Sequence, residues 1–160
     1  AQNIIFVNYE WAFHNNPPSP INSTESINAY LDYINHFIPP EKIIVGVAAI
    51  CYSWELPYSF GLTSVYTLTL DRAIQLASDV GATIQFDKNS QTPYFRYSIR
   101  RNEIEKEYIV WFIDARSIVS LLDLVTKYQL GGLGFWNITN FNPSLWLPIY
   151  SQYEIEKISI

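Results

Sequence analysis

Three times along this chain a short apolar run ends abruptly in aromatic and polar residues. The first is Ile4-Ile5-Phe6-Val7, closed by Asn8-Tyr9-Glu10-Trp11. The second is Ile43-Ile44-Val45-Gly46-Val47-Ala48-Ala49-Ile50, closed by Tyr52-Ser53-Trp54. The third is Leu130-Gly131-Gly132-Leu133-Gly134-Phe135, closed by Trp136-Asn137. An unbroken apolar run, in place of an alternation, marks a strand buried on both faces, and such strands belong to parallel sheets covered by helices. In these sheets the chemistry gathers at the carboxyl ends of the strands. The pattern predicts three parallel strands, with Tyr9, Glu10, Trp11, Tyr52, Trp54, Trp136 and Asn137 at the lip of a site. Taken alone, the first run also fits a core strand that leads into an ordinary surface loop.

What separates the runs supports the parallel reading. Pro17-Pro18-Ser19-Pro20 is a loop, and Asn22-Ser23-Thr24 offers helix caps. Ile27, Tyr30, Leu31, Ile34 and Phe37 then recur at helical spacing, which predicts a helix from about Thr24 to Phe37, ended by Pro39-Pro40. A second stripe, Ile118, Leu121, Leu122, Val125 and Tyr128, starts at Asp114 as N-cap. Strand, helix, strand at this spacing is the crossover of a parallel pair.

The stretch from about Glu55 to Ile113 has another character. Thr69 to Val80 reads as a helix with Ala73, Ile74, Leu76, Ala77 and Val80 inward and Gly81 as its C-cap. Thr83 to Asp87, Tyr94 to Ser98 and Tyr108 to Phe112 read as strands, with turns at Asp87-Lys88-Asn89-Ser90 and Arg100-Arg101-Asn102. The expected fold is α/β: three parallel strands with crossover helices, plus a small α+β insertion. It divides as 1–54, 55–113 and 114–160 within one domain. Closing a barrel of this class takes about eight strands, so three leave open edges that need a cover or a partner.

Composition narrows the function classes. Apolar residues make up 49% and charged residues 16% of 160 residues, enough for one globular core. The net charge of −5 argues against a nucleic-acid partner. No apolar run nears the roughly 20 residues of a membrane-spanning helix, so no membrane partner is expected. Cys51 is the sole cysteine, which forbids an internal disulfide, and no His/Cys cluster has metal spacing. No metal and no cofactor are expected, and His14 and His36 read as structural. Aromatics reach 16%, as core material or as stacking platforms for sugar rings. The sequence contains no Met and starts close to a strand, so a processed chain or a piece of a longer one is expected.

The ordered motifs resemble glycoside hydrolase family 18, most nearly its spore-cortex N-acetylglucosaminidase branch. Asn8-Tyr9-Glu10-Trp11 is similar to that branch's Tyr-Glu-Trp. Ile38-Pro39-Pro40-Glu41-Lys42-Ile43 resembles the lead-in to the seventh barrel strand. Gln91-Thr92-Pro93-Tyr94-Phe95-Arg96-Tyr97 and Val110 to Ile118 resemble the insertion and the start of the seventh helix, and Gly134-Phe135-Trp136 the eighth strand. The resemblance implies a partial (β/α)8 TIM barrel: 1–54 holds strands six and seven with helix six, and 114–160 holds helix seven, strand eight and a C-terminal helix. It implies substrate-assisted retaining hydrolysis of an N-acetylglucosamine-containing glycan, peptidoglycan or chitin, by a secreted protein of the cell wall or spore. Tyr9 would orient the N-acetyl group, Glu10 would sit beside it, and Trp136 would form the floor under the sugar. The general acid of the family ends an Asp-x-x-Asp-x-Asp-x-Glu motif, absent from this chain.

The resemblance has gaps. Ala48, Ile50, Cys51 and Ser53 stand where the branch has Pro, Tyr, Gly and Asp. That leaves a non-catalytic, lectin-like relative as the alternative, and a purely structural domain as a third reading. Partners expected on this basis are the glycan and either the missing half of a barrel or a second copy of the chain.

Overall fold

The computed structural model describes residues 2–7, 16–137, 140 and 142–156, with only the backbone of Arg101. In chain order the elements are β1 (Ile4–Val7), α1 (Thr24–Ile34), β2 (Ile43–Ala48), β3 (Cys51–Leu56), β4 (Val65–Leu68), α2 (Leu70–Asp79), β5 (Gln85–Asp87), β6 (Thr92–Arg101), β7 (Ile104–Trp111), α3 (Ala115–Tyr128), β8 (Gly132–Trp136) and α4 (Trp146–Gln152). They form a parallel sheet, β1-β2-β8, and an antiparallel one, β4-β3-β7-β6-β5. One apolar core joins the two.

β2 is the centre of the parallel sheet. Its Ile43, Val45 and Val47 lie at 0–1% exposure against Ile27 and Leu31 of α1 and the Ile118, Leu121 and Val125 stripe of α3. Asp114 caps α3 as its sequence predicts, accepting from the backbone N–H groups of Arg116 and Ser117 while Ser117 Oγ accepts from the backbone N–H of Asp114.

Several expectations are corrected. The strand β1 is parallel and in register with β2, but it is not buried: Ile4 is 40%, Ile5 62% and Val7 51% exposed. It is an edge strand whose second neighbour is not among the described residues. The first helix stops at Ile34, because Phe37 N–H bonds to the carbonyl of Ile34, three residues back. This tightening of the last turn carries Phe37 off the helix face to 70% exposure, and Tyr30 also stays outside at 51%.

The third correction concerns the end of the second run. β2 ends at Ala48, and Cys51–Leu56 is a strand of the antiparallel sheet, paired to β4 and β7. Its alternation is the reason. Cys51, Ser53 and Glu55 face one side, Tyr52, Trp54 and Leu56 the other, as a strand between two neighbours requires. The insertion sheet also holds β4, which sequence reading missed. The β6–β7 hairpin turns at Asn102-Glu103, both with positive φ (48° and 65°), so Arg100 and Arg101 belong to the strand. In α2, Leu70, Ala73 and Ala77 are buried and Gly81 follows with φ 66°, but Ile74 and Val80 stay exposed. Leu70, Ala73 and Ala77 join the core cluster with Leu76 packed against it, so the inner face of α2 is narrower than the predicted stripe.

At Gly131 two backbone segments come close together. Its N–H bonds to Ile43 O at 2.8 Å, and a Cβ there would lie 2.6 Å from Glu41 O and 3.2 Å from Ile43 O. These are backbone atoms and cannot swing away. We expect Gly131→Ala to destabilise the fold by about 1–3 kcal/mol, read as a lower urea midpoint with unchanged slope.

Candidate functional site

Register decides which side chains share a face. In the parallel sheet Ile5 pairs with Ile44, Val7 with Gly46, Gly46 with Gly134, and Ala48 with Trp136. These residues alternate with the buried Val45 and Val47, so they make the opposite face. That face is open: Ile5, Val7 and Trp136 are 62%, 51% and 50% exposed. Two glycines let it be shallow. A Cβ on Gly46 would meet Val7 Cγ1 at 2.7 Å, and one on Gly134 would meet Ile44 Cγ2 at 3.3 Å. Ile5, Val7 and Ile44 therefore lean across the glycines and leave Trp136 at the carboxyl end of the face.

The strand ends are held by a residue read from sequence only as a cap. Asn22, 1% exposed with φ 53°, donates from Nδ2 to Ala48 O at 2.9 Å and accepts from Ala48 N–H at Oδ1, 3.1 Å. Among the described residues the last β1 ladder pair is Val7–Gly46, and the Asn22 carboxamide serves both backbone groups of Ala48. The cap proper is Ser23, whose Oγ accepts from Ser26 N–H. Nothing in the local pattern of Asn22-Ser23-Thr24 distinguishes these roles. We expect Asn22→Ala to cost about 1–3 kcal/mol, since it leaves both Ala48 backbone groups buried and unpaired; denaturant unfolding checks it.

On the other edge, Ala49 N–H bonds to Trp136 O at 2.8 Å, and the Trp136–Asn137 peptide is cis. Asn137 closes the next turn, its Oδ1 accepting from Asn140 N–H at 3.2 Å. Tyr9, Glu10 and Trp11, and likewise His14, lie outside the described residues. Tyr52 and Trp54 share one face of β3, with ring centroids 5.7 Å apart; Tyr52 is half-buried and Trp54 only 1% exposed. Cross-strand pairing adds two residues that sequence reading passed over. Tyr52 pairs with Trp111, and Trp111 with Tyr94, whose ring stacks on it at 4.5 Å. The period-two spacing of Tyr94 and Arg96, and of Ile109 and Trp111, was the available signal.

Other reactive groups sit away from the strand ends. Cys51 is buried, and burial with the nearby Asp71 carboxylate pushes its thiol far above the usual range, so it stays protonated. Glu103 and Glu105 are on the exposed hairpin, and Glu107 pairs with Arg96 at 3.0 Å. Among the described residues no group of three or more His, Cys, Asp or Glu could hold a metal ion, and no helix is long and apolar enough to cross a membrane.

The family model for glycosyl hydrolases family 18 matches residues 1–140. The chain belongs to glycosyl hydrolases family 18. Among its family 18 relatives, the cortical fragment-lytic enzyme of Bacillus subtilis (strain 168) is 30% identical over 154 residues, covering 96% of this chain and 35% of that enzyme. The crystal structure of the Bacillus megaterium QM B1551 spore cortex-lytic enzyme SleL superposes with a TM-score of 0.89 at 32% identity, over 99% of this chain and 35% of that one. A chitinase of Chromobacterium violaceum ATCC 12472, 22% identical with a TM-score of 0.81 over 94% of this chain and 45% of its own, shares the fold. This family 18 chain thus spans about a third of the spore-cortex relatives it matches, and its β1-β2-β8 sheet is part of a (β/α)8 barrel with an α+β insertion.

Proposed function

We propose that this chain is the C-terminal part of a family 18 glycosidase that cleaves N-acetylglucosamine-containing polysaccharide, of the spore cortex or chitin type, outside the cell. The observation that carries the reading is Trp136. It is a half-exposed indole at the carboxyl end of the open barrel face, in a chain matched to the family over residues 1–140. An indole face complements the C–H face of a pyranose, which suits Trp136 as the floor beneath the sugar. Tyr9 donates a phenol hydrogen bond to the N-acetyl oxygen and orients it for attack on the anomeric carbon. A neutral donor of this kind stabilises charge as it develops without competing as a nucleophile. Glu10, Trp11, Tyr52 and Asn137 complete the sugar contacts, while Trp54, buried at 1% exposure, packs against Tyr52 and is not the contact that the sequence predicted. The acid that protonates the leaving oxygen is a Glu supplied from upstream of this chain.

The test is direct. Titration of the purified chain with an N-acetylglucosamine tetramer, followed by isothermal calorimetry, gives a binding isotherm that Trp136→Ala weakens at least about tenfold. An unchanged isotherm removes Trp136 from the floor. A second reading, a lectin-like relative that binds without cleaving, is favoured by Ala48, Ile50, Cys51 and Ser53 in place of the branch's Pro, Tyr, Gly and Asp. Reading the upstream gene separates the two: a Glu ending an Asp-x-x-Asp-x-Asp-x-Glu stretch supports the enzyme, and its absence supports the lectin.

A further inference from the structure

Asn22 meets one edge of β2 and Trp136 the other, and two consecutive residues of β2 join them. Both backbone groups of Ala48 turn to the Asn22 carboxamide, at 2.9 and 3.1 Å. Ala48 is also the register partner of Trp136, and the N–H of Ala49 holds Trp136 O at 2.8 Å. Among the described strands β8 pairs with β2 alone, and Ala48–Trp136 is the last pair of that ladder. The place of the Trp136 backbone is therefore set by where the end of β2 is held.

The carboxamide is a stiff holder. Asn22 is 1% exposed, so a shift of the strand end stretches two hydrogen bonds where water does not replace them. Asn22 is itself anchored on both sides: Ile21 is 2% exposed, and Thr24 N–H bonds to Ser90 O at 3.0 Å. Its φ of 53° lies in the left-handed region, which Asn enters more readily than most side chains. Helix capping does not explain this arrangement, because Ser23 Oγ performs the capping of α1.

We propose that Asn22 is a positioning residue for the sugar platform. By fixing Ala48 it fixes, through the Ala48–Trp136 pair and the Ala49–Trp136 bond, the height and tilt at which the Trp136 indole meets a pyranose ring. The proposal rests on the reading of Trp136 as the floor beneath the sugar. Stacking is sensitive to such placement, since a gap of roughly 0.5–1 Å forfeits about a quarter to a half of the dispersion well. The loss on removing Asn22 is expected to stay within the loss on removing the indole itself.

The experiment compares Asn22→Gly, Asn22→Asp, Trp136→Ala, Gly131→Ala and the double variant Asn22→Gly, Trp136→Ala. Asn22→Gly removes the carboxamide and keeps a residue at ease with positive φ. Asn22→Asp keeps the acceptor for Ala48 N–H, drops the donor, and serves if the glycine variant does not fold. Gly131→Ala strains the amino end of the same sheet and controls for lost stability alone. Two quantities are read by NMR on the purified, isotopically labelled chain. One is the Trp136 indole N–H signal without ligand, identified by its absence in Trp136→Ala. The other is the affinity for an N-acetylglucosamine tetramer.

The expected result is that the Asn22 variants move the Trp136 signal and weaken the tetramer about three- to tenfold. Adding Asn22→Gly to Trp136→Ala weakens it little further, the mark of two residues acting as one. Gly131→Ala lowers the urea midpoint and leaves signal and affinity in place. Asn22 variants that lower the midpoint but leave both readouts unchanged would overturn the positioning role and leave the glycan reading standing. Equal losses in Gly131→Ala, or a full extra loss in the double variant, would overturn it too. A native chain that does not bind the tetramer overturns the glycan reading and, with it, the purpose assigned to Asn22.

Discussion

No aryl alcohol is expected to be released when the purified chain is mixed with an aryl N-acetylglucosaminide. Hydrolysis in this family needs a carboxylic acid on the leaving oxygen, and such an acid contributes on the order of 10²–10⁴ in rate. The chain has no Asp-x-x-Asp-x-Asp-x-Glu stretch to supply it. Two carboxylates of the insertion are otherwise engaged: Glu55 is paired with Lys106, and Asp71 accepts from Asn142 Nδ2 at 2.6 Å. Three parallel strands also build less than half of a barrel, so orientation of the sugar is lost along with the acid. A chromogenic assay at high protein concentration is the check. Turnover above buffer that Tyr9→Phe abolishes would mean that this chain carries its own acid, and the proposal of an upstream Glu would fall.

The second large effect is on the state of the chain in solution. Ile5 and Val7 stand more than half exposed on a face meant for a barrel interior, and β1 has a free edge among the described residues. Burial of each such side chain is worth roughly 1.5–3 kcal/mol. Ile5, Val7 and Trp136, each half to two-thirds exposed on that face, together leave a few kcal/mol of burial unrealised, a large share of the roughly 5–15 kcal/mol that holds a domain folded. The purified chain is therefore expected to self-associate through this face, unless the remainder of the barrel is supplied to cover it. Sedimentation velocity should show dimers or larger species, and the double substitution Ile5→Lys, Val7→Lys should shift them toward monomer. A monodisperse monomer of the native chain at high concentration would count against this account.

The parallel sheet was legible because its signal is strong and local. Ile43, Val45 and Val47, and the stripe of α3 behind its Asp114 cap, read in sequence as they stand in space. The failures have physical causes. Cys51–Leu56 was merged with the preceding strand because an apolar run says nothing about where its hydrogen-bonding partners change, and only the alternation of Ser53 and Glu55 with Tyr52 and Trp54 marks the switch. Phe37 kept helical spacing while the backbone tightened beneath it. Burial of β1 was inferred from its composition, yet burial depends on neighbours that another part of a barrel must provide. The place of Trp136 at the end of a strand was readable in the sequence, while the contact of Asn22 was not. Asn22 meets a residue 26 positions away, which no local pattern encodes.

The join between the two sheets has a mechanical consequence. Only Ala49 and Ile50 separate β2 from β3, and Ala49 N–H is tied to Trp136 O. On the return path, Phe112 and Ile113 are each 2% exposed and lead straight into the capped start of α3. Hinges work at a few residues free to change φ and ψ, and neither joint has any to spare. A swing of the insertion over the strand ends would have to break the Ala49–Trp136 hydrogen bond and bring Phe112 and Ile113 into water, so the two sheets are coupled through buried joints.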